Sequence, residues 1–199
     1  MNGHGPTLDV DVVVPTIGRP SLSRLLASLA EAAAAGSRWP RSILLVDDRR
    51  DRSSPLLADG LGDPWLRDRV RVVEGRALGP AAARNDGWRR ATATWVAFLD
   101  DDVVVADDWF SALDDDLWDL DAEVAASEGR IHVPLPRNRR PTDWERNVAG
   151  LESARWATAD MAFRRRALAA VGGFDERFPR AYREDADLGL RLTGAGWRI

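Results

Sequence analysis

Three consecutive carboxylates, Asp100-Asp101-Asp102, close the apolar run Thr94-Trp95-Val96-Ala97-Phe98-Leu99, and a second apolar triplet, Val103-Val104-Val105, follows them. The run is short, contains β-branched and aromatic residues, and reads as a buried strand. Side chains alternate across a strand, so Asp100 and Asp102 are expected on one side and Asp101 on the other. Two carboxylates converging on one point repel by an amount on the order of 1 kcal/mol or more, and they call for a cation, a proton or a basic partner. A hard divalent ion that also binds phosphate oxygens is the natural candidate. In isolation the three acids fit a solvated acidic turn as well. The strand ahead of them favours a site, because ligands bind at strand ends in open α/β sheets.

Other segments could join that chemistry. Asp47-Asp48 closes a second apolar run, Ser42-Ile43-Leu44-Leu45-Val46. Gly79-Pro80 opens a helix over 81–88, whose exposed N–H groups could face a phosphate, although alanine-rich close packing explains the same residues. Glu184-Asp185 opens the last helical pattern, where acids more ordinarily offset the helix dipole. Arg137, Arg139 and Arg140 lie in a stretch rich in Pro and Arg and could meet an anion, although a solvated surface is the commoner reading.

Positioning these residues takes an alternation of strands and helices. Asp9 to Val14 is the first expected strand, stopped by Pro15, with a loop over 16–20. Leu22, Leu25, Leu26, Leu29 and Ala33 share one helical face, which Gly36 closes. Strands follow over 42–46 and 70–73, separated by a loop from Arg49 to Asp68 with a short helix near Leu56. The helix over 81–88, the strand over 94–99, and a helix capped by Asp107 and carrying Trp109, Phe110, Leu113, Leu117 and Leu120 come next. Such alternation predicts a mainly parallel sheet flanked by helices, with Asp47 and Asp100 along one carboxyl edge. Further on, the pattern predicts strands over 123–127, 130–133 and 157–163, and a loop over 134–147. Helices are expected through Leu168 and Val171, ending at Gly172-Gly173, and through Leu188 and Leu192, closed by Gly194.

Length and composition agree with one soluble globular domain: 199 residues, 45% hydrophobic and 30% charged. A net charge of -4 argues against a nucleic-acid partner. All 28 basic residues are arginine, so no lysine is available as a Schiff-base former or phosphate anchor. Without cysteine, neither disulfides nor thiolate metal sites can form, which is compatible with a cytoplasmic location. No stretch is apolar for long enough to span a membrane, and residues 1–10 lack the features of a signal peptide.

Taken together, the blocks Val12-Val13-Val14-Pro15-Thr16, Leu44-Leu45-Val46-Asp47-Asp48, Gly79-Pro80-Ala81-Ala82-Ala83-Arg84-Asn85-Asp86-Gly87, Phe98-Leu99-Asp100-Asp101-Asp102, Gly172-Gly173-Phe174-Asp175-Glu176-Arg177-Phe178 and Glu184-Asp185 resemble the GT-A (nucleotide-diphospho-sugar transferase) fold. Within it they resemble family 2 of the inverting glycosyltransferases. The resemblance covers nearly the whole chain and implies a Rossmann-like α/β fold in a single domain over 1–199. It further implies transfer of a sugar from a UDP-, GDP- or dTDP-linked donor to a hydroxyl of a glycan, lipid-linked or small-molecule acceptor.

By the same resemblance, Pro15, Thr16 and Asp47 or Asp48 border the base and ribose, with Gly79 also on the nucleotide. Arg84 lies beside the base or phosphates. Asp100 and Asp102 hold a divalent cation, Mg²⁺ or Mn²⁺, and Asp101 serves the nucleotide. Asp185 is the general base, and Glu184 shapes the acceptor site. The cation would stabilise the departing diphosphate as a Lewis acid, so no second carboxylate is needed to protonate the leaving group.

Family members usually continue past the last helix, often to a histidine that completes the metal shell. This sequence stops at Trp197-Arg198-Ile199, and neither His4 nor His132 matches that position. A fragment is therefore one expectation; the expected location, independently, is cytoplasmic or peripheral at a membrane. Two other readings stand beside this one. One is a GT-A-like domain that binds nucleotide or glycan without turnover. The other is a haloacid dehalogenase-like phosphatase with an aspartate nucleophile, which usually carries that aspartate on its first strand and uses a downstream lysine.

Overall fold

The computed structural model describes residues 7–36, 38–57 and 60–199; His4 and the start of the stretch read for a targeting signal lie outside them. Four strands run parallel: β1 (Val10–Thr16), β2 (Ser42–Asp47), β3 (Val70–Glu74) and β4 (Trp95–Leu99). A short β5 (Ala126–Glu128) pairs antiparallel with β6 (Asp160–Arg164), which itself runs antiparallel to β4. The order across the sheet is β3-β2-β1-β4-β6-β5, the mainly parallel α/β architecture expected from the sequence.

Alternation sorts the strand side chains into two cores. Val10, Val12 and Val14 of β1 join Trp95, Ala97 and Leu99 of β4 on one face. Val13, Val96 and Phe98 face the other way. Helices cover both faces, which is why these strands read as unbroken apolar runs. On the first face lie α1 (Ser21–Ala35), the short α2 (Pro64–Arg69) and α4 (Trp109–Leu117). On the second lie α3 (Pro80–Trp88), α6 (Arg165–Val171) and α7 (Glu184–Gly194), with α5 (Asp143–Ala149) outside the two cores. Burial of Leu22, Leu25, Leu26 and Leu29 anchors α1, at roughly 1.5–3 kcal/mol for each side chain. Helix α3 sits unusually close to the sheet because Gly87 has no side chain: an added Cβ would overlap Val13 Cγ1 and come within 3.0 Å of Val46 Cγ2.

Several boundaries differ from expectation. The helix between β2 and β3 is not near Leu56 but at Pro64, where Asp63 caps the Trp65 and Leu66 amides. Asp107 does not cap α4, which starts at Trp109 and ends at Leu117, short of Leu120. Residues 130–133 form no strand: pairing with β6 ends at Glu128, and the last contact is the Gly129 amide donating to the Asp160 carbonyl at 2.9 Å. The loop over 134–147 gives way at Asp143 to α5, started by a capping box between Thr142 and Glu145. Among the described residues, no helix is long and apolar enough to cross a membrane.

Candidate active site

Sheet order places β1 between β2 and β4, so the chain crosses over in opposite directions on either side of β1, and a crevice opens at the carboxyl ends of such strands. It measures about 560 Å³ and takes in Pro15, Thr16, Asp48, Gly79, Arg84, Asp100, Asp101 and Asp102. Three of the residues expected at the site do not line it: Asp47, Glu184 and Asp185.

The acid triplet departs from simple alternation. Strand β4 stops at Leu99 and the chain turns, with the Val103 amide donating to the Asp100 carbonyl at 3.2 Å. All three carboxylates consequently reach the crevice. Asp101 lies innermost, accepting from Thr16 Oγ1 at 2.6 Å and Arg19 Nη1 at 3.3 Å. The same Arg19 nitrogen donates to Asp102 at 3.4 Å. Burial, together with the charges of Asp100 and Asp101, raises the Asp102 pKa above the usual carboxylate value despite Arg19.

Arg84, deep in α3, ties the triplet to the start of α7. Its Nη2 donates to Asp100 at 2.7 Å and its Nη1 to Glu184 at 2.9 Å. Burial alone would lower the Arg84 pKa, but Asp100 and Glu184 outweigh it and the net shift is upward. Glu184 is therefore a buried partner of Arg84 beneath the crevice. Asp185, the next residue, sits half-buried in the first turn of α7, accepting at 2.8 Å from the Ala186 amide.

At the end of β2 the two aspartates divide. Arg49 grips both oxygens of Asp47 at 2.8 Å, holding its pKa below the usual range, and Arg52 donates to the Asp47 carbonyl. Asp48 turns to the crevice: its Oδ2 accepts from the Gly79 amide at 2.9 Å, while its Oδ1 is buried without a hydrogen-bond partner among the described residues.

Two features were not read from the sequence. Arg19, in the loop after β1, bridges Asp101 and Asp102; an arginine in a loop carries no signal that it will meet acids more than 80 positions away. Asn85 clamps the segment after α6, accepting from the Phe174 amide at 2.9 Å and donating to the Phe174 carbonyl at 2.8 Å. Glu176 accepts from Asn85, Arg76 and Arg89, and these contacts hold its pKa at about 2, the Arg76 hydrogen bonds contributing most. The Gly-Gly-Phe-Asp-Glu block thus fastens the approach to α7 onto α3. Arg137, Arg139 and Arg140 are exposed and do not line the crevice, and Arg139 pairs with Glu145 of α5.

Among the described residues, no three His, Cys, Asp or Glu side chains form a ready metal cage. His132 is exposed and pairs with Glu152 at 2.9 Å. The donor set still suits a hard cation: Asp100 and Asp102 line the crevice with carboxylates, and burial followed by the charges of Asp100 and Asp101 raises the Asp102 pKa, a shift that added positive charge would oppose.

The profile of glycosyl transferase family 2 matches residues 11–187. The chain belongs to that family. Among family relatives, it is 28% identical to the succinoglycan biosynthesis protein ExoM of Rhizobium meliloti, over 97% of this chain and 64% of that protein. It is 31% identical to the pre-mycofactocin glycosyltransferase of Mycobacterium tuberculosis, over 96% of this chain and 40% of that protein. The chain thus spans less than two thirds of the length of either relative. A mannosyltransferase of Pyrobaculum calidifontis, solved with GDP-Man and Mn²⁺, shares the fold with a TM-score of 0.63 at 24% identity, over 96% of this chain and 53% of that one. Family membership sets aside the haloacid dehalogenase-like alternative, as does the place of the acid triplet on the fourth strand of the chain.

Proposed function

We propose that this family 2 domain is an inverting glycosyltransferase, moving a sugar from a nucleoside diphosphate to an acceptor hydroxyl. The observation that carries the reading is the Asp100–Arg84–Glu184 bridge, which joins the acid triplet to the helix turn that bears Asp185. Asp48 meets the nucleoside: an acceptor-only oxygen, buried and without a partner among the described residues, calls for an N–H or O–H donor such as a base or ribose provides. Pro15, Thr16 and Gly79 form the walls around it. Asp47 acts one step removed, by fixing Arg49 in the loop beyond β2.

Asp100 and Asp102 are the residues that would hold Mg²⁺ or Mn²⁺, and the bound ion would supply charge stabilisation to the departing diphosphate. Asp101, held by Thr16 and Arg19, fixes the conformation of the turn. In the transfer, the acceptor oxygen bonds to the anomeric carbon from the face opposite the diphosphate as the bond from that carbon to the phosphate oxygen breaks. Asp185 takes the hydroxyl proton, and a single displacement of this kind inverts the anomeric centre. A larger cleft of about 800 Å³ has Asp160 in its lining, the residue paired with Leu99 at the end of β4, and is the space we assign to an acceptor.

Titration calorimetry with UDP, GDP and dTDP, each with and without Mg²⁺ or Mn²⁺, tests the reading. Metal-enhanced binding of at least one is expected, and absence of binding throughout rejects it. Nucleotide binding without turnover of any donor sugar would favour the non-catalytic alternative.

A further inference from the structure

A nucleoside-diphosphate donor brings concentrated negative charge into a crevice already lined by aspartates, and a cationic side chain of the protein would complement the divalent ion assigned to Asp100 and Asp102. Without lysine, that side chain is an arginine. Arg19, Arg84 and Arg180 line the crevice. Arg84 is buried, with its two terminal nitrogens committed to Glu184 and Asp100. Arg19 shares one nitrogen between Asp101 and Asp102. The start of α3 offers no full charge: Pro80 has no N–H, the Gly79 amide already donates to Asp48, and the amides that follow carry only the partial charge of a helix end.

Arg180 differs from the other two. It is exposed, and no carboxylate pairs with it among the described residues. Its segment is nonetheless fixed in place. The Pro179 carbonyl packs so tightly on Gly79, itself at φ +98°, that an added Cβ would overlap it. Arg183, at φ +67°, then starts α7. This places the Arg180 backbone at the mouth of the crevice, where the exposed guanidinium has no hydrogen-bond or ion-pair partner among the described residues.

We propose that Arg180 binds the donor's diphosphate alongside the ion that Asp100 and Asp102 would hold, so that this side chain favours a nucleoside diphosphate over its nucleoside even without metal. The planar fork of arginine matches two phosphate oxygens, whereas a lysine would offer only a point charge. The assignment rests on the donor reading given above, and its test separates the two.

Calorimetry on the wild type, Arg180→Ala and Arg180→Lys would use UDP with uridine, and GDP with guanosine, in EDTA and again with Mn²⁺. Arg180→Ala is expected to weaken diphosphate binding about 10- to 100-fold, the effect of losing charge-assisted hydrogen bonds, while nucleoside binding and the thermal midpoint stay unchanged. Arg180→Lys should recover part of the loss, and the salt dependence of diphosphate binding should flatten in the alanine variant. Equal diphosphate affinity in wild type and Arg180→Ala overturns the Arg180 assignment and leaves the donor reading standing. A parallel loss of nucleoside affinity also overturns it, because the residue would then shape the whole crevice. Failure of the wild type to bind either diphosphate removes the donor reading and this assignment together.

Discussion

Arg84 and Glu184 stand 100 positions apart in sequence and 2.9 Å apart in space, both almost wholly buried, with Asp100 on the guanidinium's other arm. Removing one partner of a buried pair leaves an uncompensated charge, so Arg84→Met should cost about 3–5 kcal/mol in urea unfolding. Glu184→Gln keeps an acceptor and should cost less. Arg84→Lys should not restore wild-type stability, because one ammonium cannot reproduce the two-armed contact. Wild-type unfolding of Arg84→Met would mean that the bridge is not formed in solution.

Binding and chemistry should separate at two aspartates. Asp185→Asn is expected to leave nucleotide affinity near wild type and abolish transfer, measured as release of nucleoside diphosphate in the presence of acceptor. Asp102→Ala should instead remove the increase in nucleotide affinity produced by Mn²⁺. Full turnover by Asp185→Asn would reject it as the base.

Gly79 combines a left-handed φ of +98° with direct packing against the Pro179 carbonyl. Gly79→Ala should therefore lose roughly 1–3 kcal/mol through backbone strain, and more as Pro179 is displaced. Calorimetry should show weakened nucleoside binding in the same variant, since the Gly79 amide orients Asp48.

Burial pushes the Asp160 carboxyl up to about 6, with Asp116 adding to the shift and the Trp109 N–H opposing it. An unfolded aspartate titrates near about 3.9, so the folded state holds this proton more tightly. The contribution of Asp160 is therefore most favourable below pH about 4, declines as pH rises toward about 6, and stays low above that, for a total on the order of 2–3 kcal/mol. Asp160→Asn should be more stable than wild type at pH 7, and the difference should vanish near pH 4 in urea titrations. An equal difference at both pH values would place the Asp160 pKa at its ordinary value.

Local pattern determined much of this protein. The apolar runs over 42–46 and 94–99 identified buried strands, and the acids after them marked the carboxyl edge, because burial on both faces and the turn at a strand end are written in adjacent residues. Helix α5 was missed: the prolines and arginines over 134–147 read as a loop, although Thr142 and Glu145 carry the spacing of a capping box that would have marked its start. Only the tertiary structure decided which charges meet. Strand β4 ends at Leu99, so the acid triplet becomes a turn that Arg19 and Arg84 can reach from other segments. Likewise Asp47 and Asp48, neighbours of the same type, part company because one meets Arg49 and the other the amide of Gly79. Ion pairing depends on distances of a few ångströms between segments that only the packed sheet and helices bring together, and no local periodicity encodes them.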